Sequence, residues 1–328
     1  MHSVDLLVIG TSVDPHISAV LQRLGGDISV CRLDVDRFPR EQAATLAFDT
    51  FGDYRVLVHE GNVQWDVTRP KVAWFRRLGK PGISKGLHPA YLDFATGEVE
   101  QTIEGLLSIV RPGKWFNDFW GCRKAGNKPL QYLTATEHGL NLPDTLITNS
   151  ANSAREWIKR QGEVVAKTIS RPILTTDKSE LGRTFAYTHR LTREDIAHLA
   201  QVATVPCQFQ PLIKGRKELR VTTVGEQHFA VEVFSSDTEP DRFDWRATAT
   251  TCEYRMGELD LSTAQKLTSL LEAFSLPFAA SDFIVGEDGT LVFLESNPHG
   301  AWMWLEAFVP GLDITGEVAR WIQGNIEK

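Results

Sequence analysis

The sequence predicts an α/β protein built of α+β lobes, and three observations predict it. At 328 residues the chain is more than twice a common single domain, so two or three domains are expected. It opens as strand, helix, strand, the pattern of a βαβ unit. Its last third carries long apolar strands and an evident hairpin instead of further βα repeats.

The elements follow in order. Val4–Ile9 reads as a buried parallel strand, His16–Leu24 as a helix and Ile28–Leu33 as the next strand. The turn Gly10-Thr11-Ser12-Val13 lacks the G-x-G-x-x-G fingerprint, which disfavours a dinucleotide site there. Strand-like runs recur at Tyr54–Val58 and Val72–Phe75, a long helix spans about Ala90–Val110, and Trp115-Phe116-Asn117 closes a first domain at residues 1–118. A central lobe, 119–204, holds a helix Leu130–His138 stopped by Gly139, a strand Thr145–Thr148, a helix Ala151–Arg160 and a strand Val164–Ile169. A last lobe, 205–328, holds strands Leu219–Val224 and Phe229–Phe234, a helix Ser262–Phe274 and a hairpin Ser281–Asn297. The polar, turn-rich stretch Ser236–Asp244 is the best candidate for a mobile loop.

Composition narrows the function classes. Hydrophobic residues at 42% and charged residues at 23% exclude a disordered, collagenous or coiled-coil chain. Lys plus Arg number 35 against 42 Asp plus Glu, a net charge of −7, which leaves no electrostatic footprint for nucleic acid or an anionic membrane. Four scattered cysteines (Cys31, Cys122, Cys207 and Cys252) form no C-x-x-C pair, the usage of reduced thiols in a cytosol. With no basic leader and no apolar run of membrane length, a soluble cytoplasmic protein is expected.

The sharpest local feature lies in the hairpin. Two apolar runs flank Asp288-Gly289, a strong hairpin turn signal. With those two residues as the turn, Asp282 pairs across from Glu295, and Asn297 shares a face with Glu295 because the side-chain period is two. Asp282, Glu295 and Asn297 then converge as three oxygen ligands, a set that suits Mg²⁺. A solvated sheet face is the plainer reading, but carboxylates among Phe283, Ile284, Val292 and Phe293 are costly to bury without a cation.

Cations stand in similarly apolar places. Lys128 opens a helix, Lys167 lies inside the strand Val164–Ile169, Arg220 lies inside Leu219–Val224, and Arg246 follows Asp244-Trp245. Each alone is weak, since a lysine can also snorkel from an edge strand. Together with the oxygen triad they fit a nucleoside triphosphate with Mg²⁺, held by side chains because no Walker loop is present. The extended stretch Phe209–Gly215 can offer backbone groups to an adenine edge, and it reads equally well as an interdomain linker.

These residues resemble the ATP-grasp superfamily of carboxylate-amine and carboxylate-hydroxyl ligases. More narrowly, they resemble the microviridin and graspetide peptide maturases. The resemblance covers nearly the whole chain. It is carried by Val72-Ala73-Trp74-Phe75-Arg76-Arg77, Asn127-Lys128-Pro129-Leu130-Gln131, the segment Gly139–Asn149, Phe209-Gln210, Glu218-Leu219-Arg220-Val221, Asp244-Trp245-Arg246 and Phe293-Leu294-Glu295-Ser296-Asn297-Pro298. It implies an ATP-grasp fold behind a pre-ATP-grasp domain, with ATP and Mg²⁺ as cofactors. Lys128 and Lys167 would contact phosphates, Gln210, Pro211, Leu212 and Ile213 would form the adenine hinge, and Glu218 would meet the ribose or a lysine. Arg220 and Arg246 would act at the transferred phosphoryl and acyl groups, and Asp282, Glu295 and Asn297 would hold Mg²⁺. After Pro298 the family often shows Asn-Gly-Gln-Trp, whereas this chain has His299-Gly300-Ala301-Trp302.

The implied partner is a ribosomal precursor peptide, a leader plus a core containing Asp or Glu and Ser, Thr or Lys, and a homodimer is implied as plausible. The implied reaction activates side-chain carboxylates as acyl phosphates and joins them to hydroxyls or amines. Two rivals are a ligase that adds a free amino acid and a non-catalytic nucleotide-dependent binder. His299 is a speculative general base, and Arg76-Arg77 either steers an acidic peptide or packs a strand end.

Overall fold

The computed structural model describes residues 2–170, 173–175, 183–185, 188–215, 217–234 and 252–328. Arg246 and the loop expected at Ser236–Asp244 lie outside the described residues.

The first lobe runs β1 (His2–Ser3), β2 (Leu6–Gly10), α1 (Pro15–Leu21), β3 (Val30–Asp34), β4 (Gln42–Phe48), β5 (Tyr54–Glu60), β6 (Val63–Asp66), β7 (Val72–Phe75), α2 (Leu92–Ile109) and β8 (Lys114–Phe116). The expected βαβ unit is present, because β2 pairs in parallel with both β3 and β7, and β8 completes a parallel sheet of order β3-β2-β7-β8. Both faces of β2 are covered, which is why its sequence is apolar without alternation. Leu7 and Ile9 enter one core with α2, and Leu6 and Val8 enter another with α1. The run Tyr54–Val58 is a strand as expected, but it belongs to a second sheet of order β1-β6-β5-β4. It pairs antiparallel with β4 and β6 through short connections, and those need no crossover helix.

The central region runs α3 (Phe119–Ala125), α4 (Lys128–Glu137), β9 (Leu146–Thr148), α5 (Ala151–Gln161), β10 (Val164–Lys167), β11 (Ile173–Thr175), β12 (Arg183–Phe185), β13 (His189–Arg190), α6 (Arg193–Ala197) and β14 (Cys207–Pro211). Its antiparallel sheet has the order β13-β10-β14-β9 and its own small core of Ala154, Ile158, Val164, Leu199, Val202 and Phe209. The stretch expected to be a linker from Phe209 is therefore strand up to Pro211, paired with β10 throughout and with β9 at Phe209, and only Leu212–Gly215 connects onward. Helices α3 and α4 contribute their buried apolar residues to a different core. Phe119, Cys122, Ala125 and Ala135 enter the core that α2 shares with the last lobe.

That last lobe runs β15 (Lys217–Val224), β16 (Gln227–Phe234), β17 (Glu253–Met256), α7 (Leu261–Ala273), β18 (Phe278–Val285), β19 (Leu291–Asn297), α8 (Met303–Phe308) and α9 (Ile314–Ile326). Its antiparallel sheet has the order β17-β16-β15-β18-β19. Two continuous cores join it to the first lobe. One holds Ile103, Phe119, Leu270 and Phe283, and the other holds Trp74, Phe116, Trp302 and Ile322. No helix among the described residues is long and apolar enough to cross a membrane.

The hairpin corrects one sequence expectation. Val285 pairs with Leu291 and the Gly286 N–H bonds to the Thr290 carbonyl, so the turn spans Glu287-Asp288-Gly289. Gly289, at φ +80°, supplies the left-handed residue that a three-residue turn requires. This shifts the near-turn register by one residue. A bulge on the β19 side, between the Phe283–Phe293 and Asp282–Glu295 pairs, absorbs the shift and restores Asp282 opposite Glu295.

Candidate active site

The β-ladder sets Arg220, Asp282 and Glu295 in one row across β15, β18 and β19, since Arg220 pairs with Asp282 and Asp282 with Glu295. Arg220 Nη1 lies 2.6 Å from Asp282 Oδ1, and both side chains are buried. Glu218, two residues before Arg220, shares its face of the sheet. Asn297 ends β19 at the exposed rim, where its Oδ1 accepts the His299 N–H at 2.8 Å.

Lys128 reaches this row from α4. Its Nζ is 3.4 Å from Glu295 Oε2 and donates to the Thr168 carbonyl at 3.1 Å. Its place is fixed locally, because Asn127 caps the helix by accepting the Leu130 N–H and Pro129 occupies the first turn. Gln131 then clips α4 to β19. Its amide donates to the Ser296 and Ala125 carbonyls at 2.8 and 2.6 Å and accepts the Ser296 N–H at 2.9 Å. The backbone between Glu295 and Asn297 is thereby held against the helix that carries Lys128.

From the central sheet, Lys167 ends β10 opposite Gln208 of β14. Gln208 donates to the Tyr132 hydroxyl at 2.7 Å, and burial pushes that phenol up to about 12. Gln210 is buried and donates to Thr145 Oγ1 at 3.0 Å, while Pro211, Leu212 and Ile213 are half-buried at the start of the connector. The Leu212 N–H is already engaged by the Glu163 carbonyl at 2.8 Å. Gly215 passes close under β18: a Cβ there would stand 2.3 Å from the Val285 carbonyl oxygen.

The structure thus brings Lys128, Arg220, Asp282 and Glu295 into direct contact, with Glu218 and Asn297 on the same sheet. Lys167, Gln210 and Pro211 stand on the neighbouring one, and Leu212 and Ile213 follow it in the connector. The donors available to a metal are two carboxylates and an amide oxygen, and among the described residues no group of three His, Cys, Asp or Glu side chains could hold one. The all-oxygen set fits a hard divalent cation. The ion pairs support the fit, since each carboxylate already stands against a cationic side chain.

Three positioning residues drew no role from the sequence. Gln131 was visible only inside a longer motif. Tyr132 follows it. Asn117, at φ +58°, binds the Phe278 and Pro298 carbonyls and the Phe278 N–H, so it joins β8 to the strand of Asp282 and to the segment after Asn297. A non-glycine residue forced to positive φ is the signal, and it is invisible in sequence. His299 packs its ring edge-on against Phe75, with centroids 5.5 Å apart.

Comparison with known proteins agrees with this architecture. Residues 5–123 match the model of the MvdD pre-ATP grasp domain. The fold superposes on a RiPP-associated ATP-grasp ligase of Chryseobacterium gregarium, solved with ADP and a leader and core peptide (TM-score 0.87, 24% identity, 98% of this chain and 96% of that one). It also superposes on the macrocyclase MdnB of Microcystis aeruginosa MRC (TM-score 0.78, 29% identity, 97% and 98%). A third match is the ATP-grasp ligase PsnB, solved with a phosphomimetic precursor variant, Mg and ADP (TM-score 0.77, 20% identity, 98% and 99%). No curated protein matches the chain. The chain therefore has the ATP-grasp fold, and its residues 5–123 are similar to the MvdD pre-ATP grasp domain.

Proposed function

We propose that this protein is an ADP-forming ligase that activates Asp or Glu side chains of a ribosomally made precursor peptide and closes them onto Ser or Thr hydroxyls or Lys amines. The observation that carries the reading is the row Arg220–Asp282–Glu295 across one antiparallel sheet with Lys128 on its end, cations and carboxylates set together as phosphate and metal binding would require. The structural relatives solved with ADP and precursor peptides supply the substrate class.

In this reading residues 1–118 are the pre-ATP-grasp domain, 119–204 together with β14 form the central lobe, and the nucleotide lies between it and the last lobe. Asp282, Glu295 and Asn297 would hold Mg²⁺, which neutralises phosphate charge when bound. Gln210, Pro211, Leu212 and Ile213 line the adenine, and Glu218 meets the ribose. Lys128 and Lys167 grip the phosphates, so Lys128 exchanges Glu295 for a phosphate oxygen. The substrate carboxylate oxygen attacks the γ-phosphorus, the bond to the β-phosphate oxygen breaks, and ADP leaves. Arg220, with Arg246 from outside the described residues, neutralises the transferred phosphoryl group. A hydroxyl or amine of the same peptide then attacks the acyl carbon, loses its proton and expels phosphate. Positioning and charge neutralisation supply most of the rate. Exposed aromatic residues Phe48, Phe51, Tyr91 and Phe94 of the first lobe support a homodimer.

Mass spectrometry of the precursor peptide encoded beside the gene, after incubation with ATP and Mg²⁺, tests the reading. Loss of one water per linkage is expected. A mass gain equal to one amino acid would identify a ligase for free amino acids, and an unchanged peptide would refute the proposal.

A further inference from the structure

The first lobe contains a second cationic centre that the phosphate site does not use. Asp14 and Arg76 face each other at the carboxyl ends of β2 and β7. Asp14 Oδ2 lies 3.3 Å from Arg76 Nε and 2.8 Å from Arg77 Nε, while Oδ1 is held by the His16 N–H and ring Nδ1 at 2.9 and 3.0 Å. Two guanidinium groups thus share one carboxylate, which leaves a local excess of one positive charge. Arg76 is 1% exposed, and among the described residues neither of its terminal nitrogens has a hydrogen-bond acceptor. Its guanidinium lies over the Trp302 ring, 5.1 Å from the centroid. A buried guanidinium with both fork nitrogens unanswered is costly, and burial with the neighbouring Arg77 charge lowers its pKa to about 10.

The topology gives an independent reason for a ligand here. In the order β3-β2-β7-β8 the chain steps from β2 to β3 on one side and then crosses to β7 on the other. The switch point of this parallel sheet lies between β2 and β7, where α/β sheets bind ligands at the carboxyl ends of their strands. Asp14 follows β2 and Arg76 follows β7. This end of the sheet also adjoins the candidate active site. Trp302, whose N–H donates to His16 Nε2 at 3.2 Å, lies five residues after Asn297, and Gly300 runs beside Arg220, where a Cβ would stand 3.0 Å from Nη2.

We propose that Arg76 and Arg77 form a carboxylate-binding subsite that anchors an acidic side chain of the peptide beside the phosphoryl-transfer centre. The proposal rests on the peptide-ligase reading and names the residues that recognise its substrate. Arg76, buried, supplies the flat bidentate fork that matches a carboxylate, and half-exposed Arg77 stands at the mouth. Asp14 and Trp302 hold the fork in orientation. The proposed phosphate contacts Lys128, Lys167 and Arg220 lie outside this sheet, which favours a carboxylate over a phosphate here.

The test follows the arginine Nε–Hε NMR signals, assigned with Arg76→Lys and Arg77→Lys, during titration with glutarate, with inorganic phosphate and with ADP·Mg²⁺. Glutarate is expected to shift the Arg76 and Arg77 signals saturably, whereas phosphate and ADP·Mg²⁺ leave them in place. A preference for phosphate or nucleotide, or signals that no probe moves, would overturn the proposal. Because glutarate needs no ligation, failure here is separate from failure of the ligase reading. A kinetic arm uses Arg77→Gln and Arg76→Gln with the precursor peptide. KM for peptide should rise about tenfold to a hundredfold with the ADP dissociation constant unchanged. An equal weakening of both would mark a merely structural arginine and overturn it, and Arg77→Gln keeps the arm usable if Arg76→Gln does not fold.

Discussion

Arg220 and Asp282 face each other in register across β15 and β18, with Nη1 and Oδ1 2.6 Å apart and both side chains buried. The two charges are each other's counter-ions, and Lys128 with Glu295 at 3.4 Å forms the same kind of pair one strand over. In the proposed reading, nucleotide binding exchanges partners at preformed charges instead of assembling the site from solvent.

That exchange separates two substitutions. Asp282→Ala strands a buried guanidinium and should cost about 3–5 kcal/mol of stability, read from chemical denaturation. Glu295→Gln, at the more exposed end of the row, should leave the unfolding midpoint nearly unchanged while peptide-dependent ADP release falls at least about a hundredfold. Full ADP release by Glu295→Gln would contradict the metal assignment.

Gln131 and Asn117 should behave as backbone clamps. Gln131→Leu orphans the Ser296 N–H and two carbonyls, so a loss of about 1–3 kcal/mol per buried orphan is expected, again from denaturation. Asn117→Gly keeps the positive φ but loses three bonds. Asn117→Ala loses the same bonds and adds strain, so it should be less stable than the glycine variant by about 1–2 kcal/mol. Equal stabilities would show that the φ of Asn117 carries no cost.

Asp14 sets a pH dependence. Burial alone would raise its pKa, but the His16 hydrogen bond and the Arg76 and Arg77 charges outweigh it and hold the carboxyl below its ordinary value of 3.8. A depressed folded pKa contributes stability that is full above the unfolded value and is lost as pH falls through the folded one. Wild type should therefore exceed Asp14→Asn in stability at neutral pH, and the gap should narrow below about pH 4. A gap constant from pH 7 to pH 3 would remove Asp14 from the linkage.

Much of the site's framework is legible because charge inside an apolar strand is conspicuous. Lys167, Arg220, Asp282 and Glu295 all stand out in that way, and the opposition of Asp282 to Glu295 follows from strand alternation. Asp288-Gly289 reads as a two-residue turn where the structure has three, and the pairing holds because the bulge on β19 offsets the one-residue shift. No sequence rule places that bulge. The strand character of Cys207–Pro211 was hidden because its pairing partners β9 and β10 are distant in sequence. The unanswered fork of Arg76 was equally hidden, since it depends on how Trp302 and Asp14 meet it from distant segments.

The central claim, carboxylate activation by phosphoryl transfer, is tested most directly with precursor peptide labelled with ¹⁸O in its side-chain carboxylates. The account predicts that each linkage formed releases phosphate bearing one ¹⁸O atom, because the attacking carboxylate oxygen departs with the phosphoryl group. Unlabelled phosphate alongside a cyclised peptide would contradict it.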